Sequence, residues 1–201
     1  MSFILGLTGG IATGKSTVSK IFAEHHIPIV DADIAARAIL EPGTKALAKV
    51  KEIFGEEILL DSGALNRKKL GDIVFNDQNK LDQLNECLSH YIRQWILTEK
   101  ARLVEADHPL IVLDIPLLFE ANYKEITDAV MVVAVDESTQ LTRLIQRNQL
   151  SEEEARQRMN AQMDLSEKIK QADFVIYNNG TIEQLRARVE EWLISKGYSG
   201  D

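Results

Sequence analysis

Gly9-Gly10-Ile11-Ala12-Thr13-Gly14-Lys15-Ser16 constrains this chain more than any other segment. It follows an apolar run, Phe3-Ile4-Leu5-Gly6-Leu7, that reads as a buried strand, and it precedes Thr17 to Glu24, which reads as a helix. A G-x-x-x-x-G-K-[ST] match between strand and helix specifies a phosphate loop. Glycines let the backbone turn with its N–H groups inward, and a helix beginning near Lys15 adds the positive end of its dipole. Lys15 is expected to reach the β- and γ-phosphates of ATP, and the Ser16 hydroxyl to ligand Mg²⁺. Gly9 through Thr17 are therefore the candidate nucleotide-binding residues. The bland alternative, a Gly-rich turn that happens to precede a lysine, does not explain why motif and context agree.

The rest of the chain supplies the fold that such a loop requires. Further apolar runs are Ile27 to Val30, Leu110 to Leu113 ending at Asp114, Ala129 to Val135 ending at Asp136, and Phe174 to Tyr177. Short, continuous and rich in Val and Ile, they suit strands covered on both faces, which predicts a parallel sheet in an α/β fold. Ser151-Glu152-Glu153-Glu154 and Thr181-Ile182-Glu183-Gln184 fit capping boxes that start helices, and Gly197 is a plausible stop for the second. Between the second and third runs lies a stretch too long for an ordinary crossover. Within it Leu81, Leu84, Leu88, Tyr91, Ile92 and Trp95 recur at helical steps. The expected organisation is a nucleotide-binding core of residues 1–33 and 110–201, with residues 34–109 as an inserted helical subdomain.

Composition narrows the partners. The chain has 201 residues, with 23 Lys+Arg against 31 Asp+Glu and a net charge of -8. That balance argues against a general nucleic-acid or anionic-membrane binder, while leaving room for a small anionic ligand in a local positive pocket. One cysteine, Cys87, excludes an internal disulfide framework and a multi-thiolate metal site, and fits a reducing compartment. No run is long enough for a bilayer helix, so cytoplasm is the expected location. The sequence assigns no oligomeric state.

In open α/β sheets, ligands bind beyond the carboxyl ends of the strands. Two acidic sites fall there: Asp31-Ala32-Asp33 after the second run and Asp114 after the third. Phosphoryl transfer to an alcohol needs metal-organising carboxylates and one that accepts or orients the hydroxyl proton. Asp33 is the candidate base, and Asp31 or Asp114 the candidate helper for Mg²⁺. The competing reading makes Asp31 a helix cap and Asp114 the start of a loop. Arg143 and Arg147, four apart, share a helical face and are expected to close over the phosphates, with Arg158 as a further contributor. Pairing with Glu152, Glu153 and Glu154 on a solvated face is the alternative for Arg143. His90 and Arg93 share another helical face, and the Arg93 fork suits an acceptor phosphate. Asn79-Lys80-Leu81-Asp82 matches a guanine-reading pattern, yet it opens a helix instead of following a buried strand, and is read as a chance match.

The residues converge on a known family. The loop Gly9 to Thr17, Asp31-Ala32-Asp33-Ile34-Ala35-Ala36-Arg37, Glu41-Pro42-Gly43, Leu65-Asn66-Arg67 and Ile73-Val74-Phe75 resemble dephospho-coenzyme A kinases. So do Ile115-Pro116-Leu117-Leu118-Phe119-Glu120, Arg147-Asn148, Leu150 to Ala155, Arg158, Gln162 and Ala172 to Asn178. The resemblance implies ATP-dependent phosphorylation of the ribose 3′-hydroxyl of dephospho-CoA. It also implies a P-loop NTPase-type core of five parallel strands flanked by helices, with a helical acceptor-binding subdomain and a lid at about residues 148–165. On that basis Asp33, Arg37, His90 and Arg93 are candidate acceptor-binding residues, and Asn178 is expected near the adenine.

Ala12 and Thr13 stand where many relatives have Gly-Ser, a departure that is tolerable if neither position needs a positive φ. His90-Tyr91 replaces a usual His-Pro, and Asn148 replaces a frequent Asp. The rival functions are another P-loop nucleoside or nucleotide kinase, and a nucleotide-dependent switch without transfer.

Overall fold

The computed structural model describes residues 1–75 and 77–198. Five strands, β1 (Phe3–Gly9), β2 (Ile29–Asp31), β3 (Leu110–Asp114), β4 (Ala129–Ala134) and β5 (Phe174–Tyr177), form one sheet in the order β2-β3-β1-β4-β5. β1 runs parallel to β3 and to β4, and β4 parallel to β5. Every residue of β3 and β4 is buried, as is all of β1 beyond Phe3. That burial explains why these strands carry no polar alternation in the sequence. The order reverses on the two sides of β1, so the crevice at a topological switch point opens beyond the end of that strand.

The chain divides into two compact units. The first comprises Met1–Val30 and the chain from Arg102 onward. Its core joins Leu5 and Leu7 of β1, Val112 of β3, and Met131 and Val133 of β4. From the helices come Val18, Ile21 and Phe22 of α1 (Lys15–Glu24) and Leu185, Val189 and Leu193 of the closing helix, Ile182–Lys196. The Trp192 ring stacks edge-on against both Phe22 and Phe174. The closing helix begins in the expected capping box, with Thr181 Oγ1 accepting from Gln184 N–H, and stops at Gly197, whose φ is 75°.

The second unit, Asp31–Ala101, is helical. It contains α2 (Ala32–Ala38), α3 (Lys45–Phe54), α4 (Arg67–Val74) and most of α5 (Gln78–Glu105). Asp31, Thr44 and Asn66 cap the first three through their side chains. Val50, Ile58, Leu70, Val74 and Leu84 are buried at its centre. Leu81, Leu88, Tyr91, Ile92 and Trp95 pack against them, so the stripe read from the sequence is the inner face of α5. Cys87 lies half-buried in the same cluster, where burial pushes its thiol up, and it behaves as a small apolar side chain. The guanine-like match opens α5, with Asp77 Oδ1 accepting from the amides of Asn79 and Lys80, an ordinary solvated helix start.

β1 runs two residues past its expected end at Leu7, β3 takes in Asp114, and β4 stops one residue short of Val135; the start of β2 shifts most. That strand was expected over Ile27 to Val30 and runs Ile29–Asp31. His26 is left-handed at φ 59°, which turns Ile27 N–H back to the Phe22 carbonyl. Pro28 has no N–H to give, although its carbonyl accepts from Val112 N–H at 3.0 Å.

Candidate active site

The loop leaves β1 at Gly9 and enters α1 at Lys15, at the carboxyl edge of the sheet. Thr13, fully buried, ties the turn internally: its N–H donates to the Gly10 carbonyl at 3.3 Å and its hydroxyl to the same oxygen at 2.9 Å. Gly14 has φ 95°. Ala12 has φ 63°, so the condition for an easy Gly-to-Ala exchange is not met at this position. An L-residue there carries roughly 1–2 kcal/mol of strain. The loop holds that conformation because its neighbours on both sides are pinned.

Three side chains from distant parts of the chain do the pinning. Asn178, just past β5, is buried and donates from Nδ2 to the Thr13 carbonyl at 2.9 Å. Gln140, buried on α6 (Glu137–Asn148), donates from Nε2 to the Ile11 carbonyl at 2.9 Å. Gln162 Oε1 accepts from Ile11 N–H at 3.0 Å. The glycines make room for two of them: a Cβ on Gly10 would lie 2.5 Å from Gln140 Nε2, and one on Gly14 would collide with Asn178 Nδ2. Among the described residues, the amides of Gly14, Lys15 and Ser16 donate to no protein group. A set of inward amides at a helix N-terminus is an anion cradle.

The cradle's one cation faces one anion. Lys15 Nζ is hydrogen-bonded to Asp114 Oδ1 at the end of β3, with the Asp114 side chain 4% exposed. Ser16 lies exposed in the first turn of α1. Among the described residues no three His, Cys, Asp or Glu side chains gather into a metal cage. The donors available, one hydroxyl and one strand-end carboxylate beside a phosphate cradle, fit Mg²⁺, which keeps its waters and shares phosphate oxygens instead of demanding an all-protein shell.

α6 carries Arg143, half-buried, and Arg147, exposed with Nε donating to Asn148 Oδ1 at 2.9 Å. The next helix, α7 (Glu152–Asn160), starts at Ser151 in the expected capping box with Glu154, whose carboxyl is held below its ordinary range by hydrogen bonds from the Ser151 backbone and hydroxyl. Arg156, to which the sequence reading gave no role, takes the acidic partners there: Nη2 meets Glu152 at 2.8 Å and Nη1 meets Glu137 at 3.3 Å. Arg158 is exposed on the same helix. A cavity of about 570 Å³ opens beside the loop, bounded by Gly10, Gln140, Met159, Gln162 and Ile169.

In the second unit, Asp31 Oδ1 accepts from the N–H groups of Asp33 at 2.7 Å and Ile34 at 3.2 Å. It therefore serves as the α2 cap. Asp33 is exposed in the first turn of that helix and Arg37 in the last. On α5, His90 is exposed with its ring 5.5 Å from Tyr91, and Arg93 is half-buried one turn on. The first unit thus gathers Gly9–Thr17, Asp114 and Asn178, whereas Asp31, Asp33, Arg37, His90 and Arg93 belong to the second.

Gln140 carries no motif in the sequence, and Gln162 and Glu120 stand out there only through the family resemblance. Lys168 carries no motif either; it is fully buried on α8 (Leu165–Gln171), with Nζ 2.9 Å from Glu120 and 3.0 Å from the Pro116 carbonyl. The one available signal for Gln140 was its place a helical turn before buried Leu144, on the apolar side of α6.

A parallel sheet with this loop after its central strand is the architecture of P-loop nucleotide-binding proteins. A shikimate kinase from Bacteroides thetaiotaomicron, 14% identical, shares the fold at a TM-score of 0.52, with 97% of this chain and 98% of that one covered. The family model for dephospho-CoA kinase matches residues 3–184. A dephospho-CoA kinase of Listeria innocua is 47% identical over 189 residues, 94% of either chain. The structure of the Campylobacter jejuni dephospho-CoA kinase superposes with a TM-score of 0.77 at 32% identity, covering 98% of this chain and 99% of that one. The chain belongs to the dephospho-CoA kinase family.

Proposed function

We propose that this kinase transfers the γ-phosphoryl group of ATP to the ribose 3′-hydroxyl of dephospho-CoA, giving coenzyme A and ADP. The observation that carries the reading is the cradle of unpartnered Gly14, Lys15 and Ser16 amides, in a chain of this family, with one ammonium held beside it.

The loop amides bind the β-phosphate, and Lys15 follows the charge onto the oxygen between the β- and γ-phosphates as that bond lengthens. Asp114, the ion-pair partner of Lys15, yields it to the triphosphate. Ser16 and Asp114, with Asp31 as a further candidate, would hold Mg²⁺, which neutralises phosphate charge when bound. Asp33 orients the acceptor hydroxyl and takes its proton. Arg143 and Arg147 lie over the transferring group. Arg37, His90 and Arg93 contact the acceptor, and the loop carrying Asn178 borders the adenine. The α7 segment serves as a lid that keeps water from competing with the sugar alcohol. A half-buried lone thiol suits a reducing compartment, and we assign the reaction to the cytoplasm.

Initial rates with dephospho-CoA against a panel of nucleosides and nucleoside monophosphates test the reading. Dephospho-CoA is expected to be the preferred acceptor by kcat/KM, with little phosphate release in its absence. Preference for a nucleotide acceptor, or fast acceptor-independent hydrolysis, would contradict it.

A further inference from the structure

Ile11 stands apart from the other residues of the phosphate loop, because both of its backbone polar groups are held by side chains from outside the loop. Its carbonyl accepts from Gln140 and its N–H donates to Gln162. Gln162 does not hang freely from the end of α7. The next residue, Met163, donates its N–H to Glu120 Oε1 at 3.0 Å. Glu120 is paired with the fully buried Lys168, which also donates to the Pro116 carbonyl; that oxygen accepts the Thr8 hydroxyl at 2.9 Å. A continuous set of polar contacts therefore runs from Thr8 at the end of β1, through Pro116, Lys168, Glu120 and Met163, to Gln162, and returns to the same loop at Ile11.

We propose that Gln162 is a positioning residue that ties the return segment of the lid to the phosphate loop through the Ile11 amide, with Gln140 fixing the opposite side of the same residue. The inference rests on the kinase reading above, because it assigns these glutamines to setting the arginine-bearing α6 and α7 against the phosphates. Gln162 and Gln140 hold one peptide from two directions. Removing either lets the loop tip and the lid move independently, so the two losses cannot multiply. The amides that bind the β-phosphate lie further along the loop and are untouched. The expected defect is thus in turnover rather than in ATP binding, since a misplacement of about 1 Å at a distance from the chemistry costs up to roughly a hundredfold.

The test compares the wild type with Gln162→Leu, Gln140→Leu and the double variant. In the nucleotide-free protein, amide exchange followed by NMR should find the Ile11 amide protected about tenfold or more over its rate in Gln162→Leu. With saturating MgATP and dephospho-CoA, each single variant should lower kcat about ten- to a hundredfold. The calorimetric Kd for ATP should stay within about threefold, and the double variant should be no slower than about the worse single one. Equal Ile11 exchange in wild type and Gln162→Leu, unchanged kcat, a Kd that rises in step with the fall in kcat, or multiplying losses would each overturn the proposal. If Gln140→Leu fails to fold, Gln162→Leu alone decides through exchange and the split between kcat and Kd. A wild type without transfer to dephospho-CoA would instead refute the kinase reading, and the exchange comparison, which needs no turnover, would still judge the clamp.

Discussion

Lys15 and Asp114 form an ion pair at the carboxyl edge of the sheet, the ammonium of the phosphate loop against the carboxylate that ends β3. Each neutralises the other at a nearly buried site, where an unpaired charge is costly. On the proposed mechanism ATP competes with Asp114 for Lys15, and Asp114 turns toward the cation.

Lys15→Ala is expected to lower kcat by about two to three orders of magnitude, the usual loss for a donor aimed at developing charge. Asp114→Asn should have a split effect. Without Mg²⁺ its affinity for ATP should rise, because Lys15 no longer has a competing partner. With Mg²⁺ its kcat should fall. Calorimetry with and without EDTA, alongside steady-state rates, checks both arms; equal changes under the two conditions would remove Asp114 from the metal's surroundings.

Asp33→Asn should lose turnover yet keep ATP affinity, since Asp33 lies in the second unit while the cradle is built wholly in the first. The loss should be smaller than that of Lys15→Ala, because a largely dissociative transfer relies less on its base than on its charge stabilisation. Side-by-side single-turnover rates decide the order, and a larger loss for Asp33→Asn would contradict it.

Ala12 pays for a left-handed backbone at φ 63°. Ala12→Gly should relieve roughly 1–2 kcal/mol of strain and give back about 0.5–1 kcal/mol in chain entropy, leaving a small net stabilisation. Ala12→Val should be destabilising, since a β-branched side chain at that φ is an outlier. Urea titrations of both variants provide the check, and a stable Ala12→Val would mean the loop does not hold this backbone.

The loop, the strand ends and the inner face of α5 were legible because each is written locally, in a spacing or an apolar run. Ala12 was not, since alanine carries no mark of the φ it will be forced into. The shift of β2 came from His26 and Pro28, which act through backbone geometry that an apolar run does not report. Gln140, Glu120 and Lys168 were hidden for another reason. Each looks like an ordinary solvated residue until long-range packing supplies its partner, as when Lys168, between exposed Glu167 and half-buried Ile169, proves to be fully buried.

The Glu120–Lys168 pair is asymmetric. The Lys168 side chain is 0% exposed and that of Glu120 is 23% exposed. Glu120→Gln leaves a buried ammonium without its counter-charge and should cost about 3–5 kcal/mol. Lys168→Met removes that charge and leaves a carboxylate that water can reach, so its cost should be smaller. Thermal unfolding of both variants tests the order, and a more damaging Lys168→Met would reverse the account of which charge is trapped.

The most direct measurement is ³¹P NMR of the product formed from ATP and dephospho-CoA by the wild type and by Lys15→Ala. A new phosphomonoester on the ribose 3′-oxygen is expected, formed in step with ADP by the wild type and lost in Lys15→Ala. Inorganic phosphate as the main product, a phosphate on another oxygen, or undiminished transfer by Lys15→Ala would contradict it.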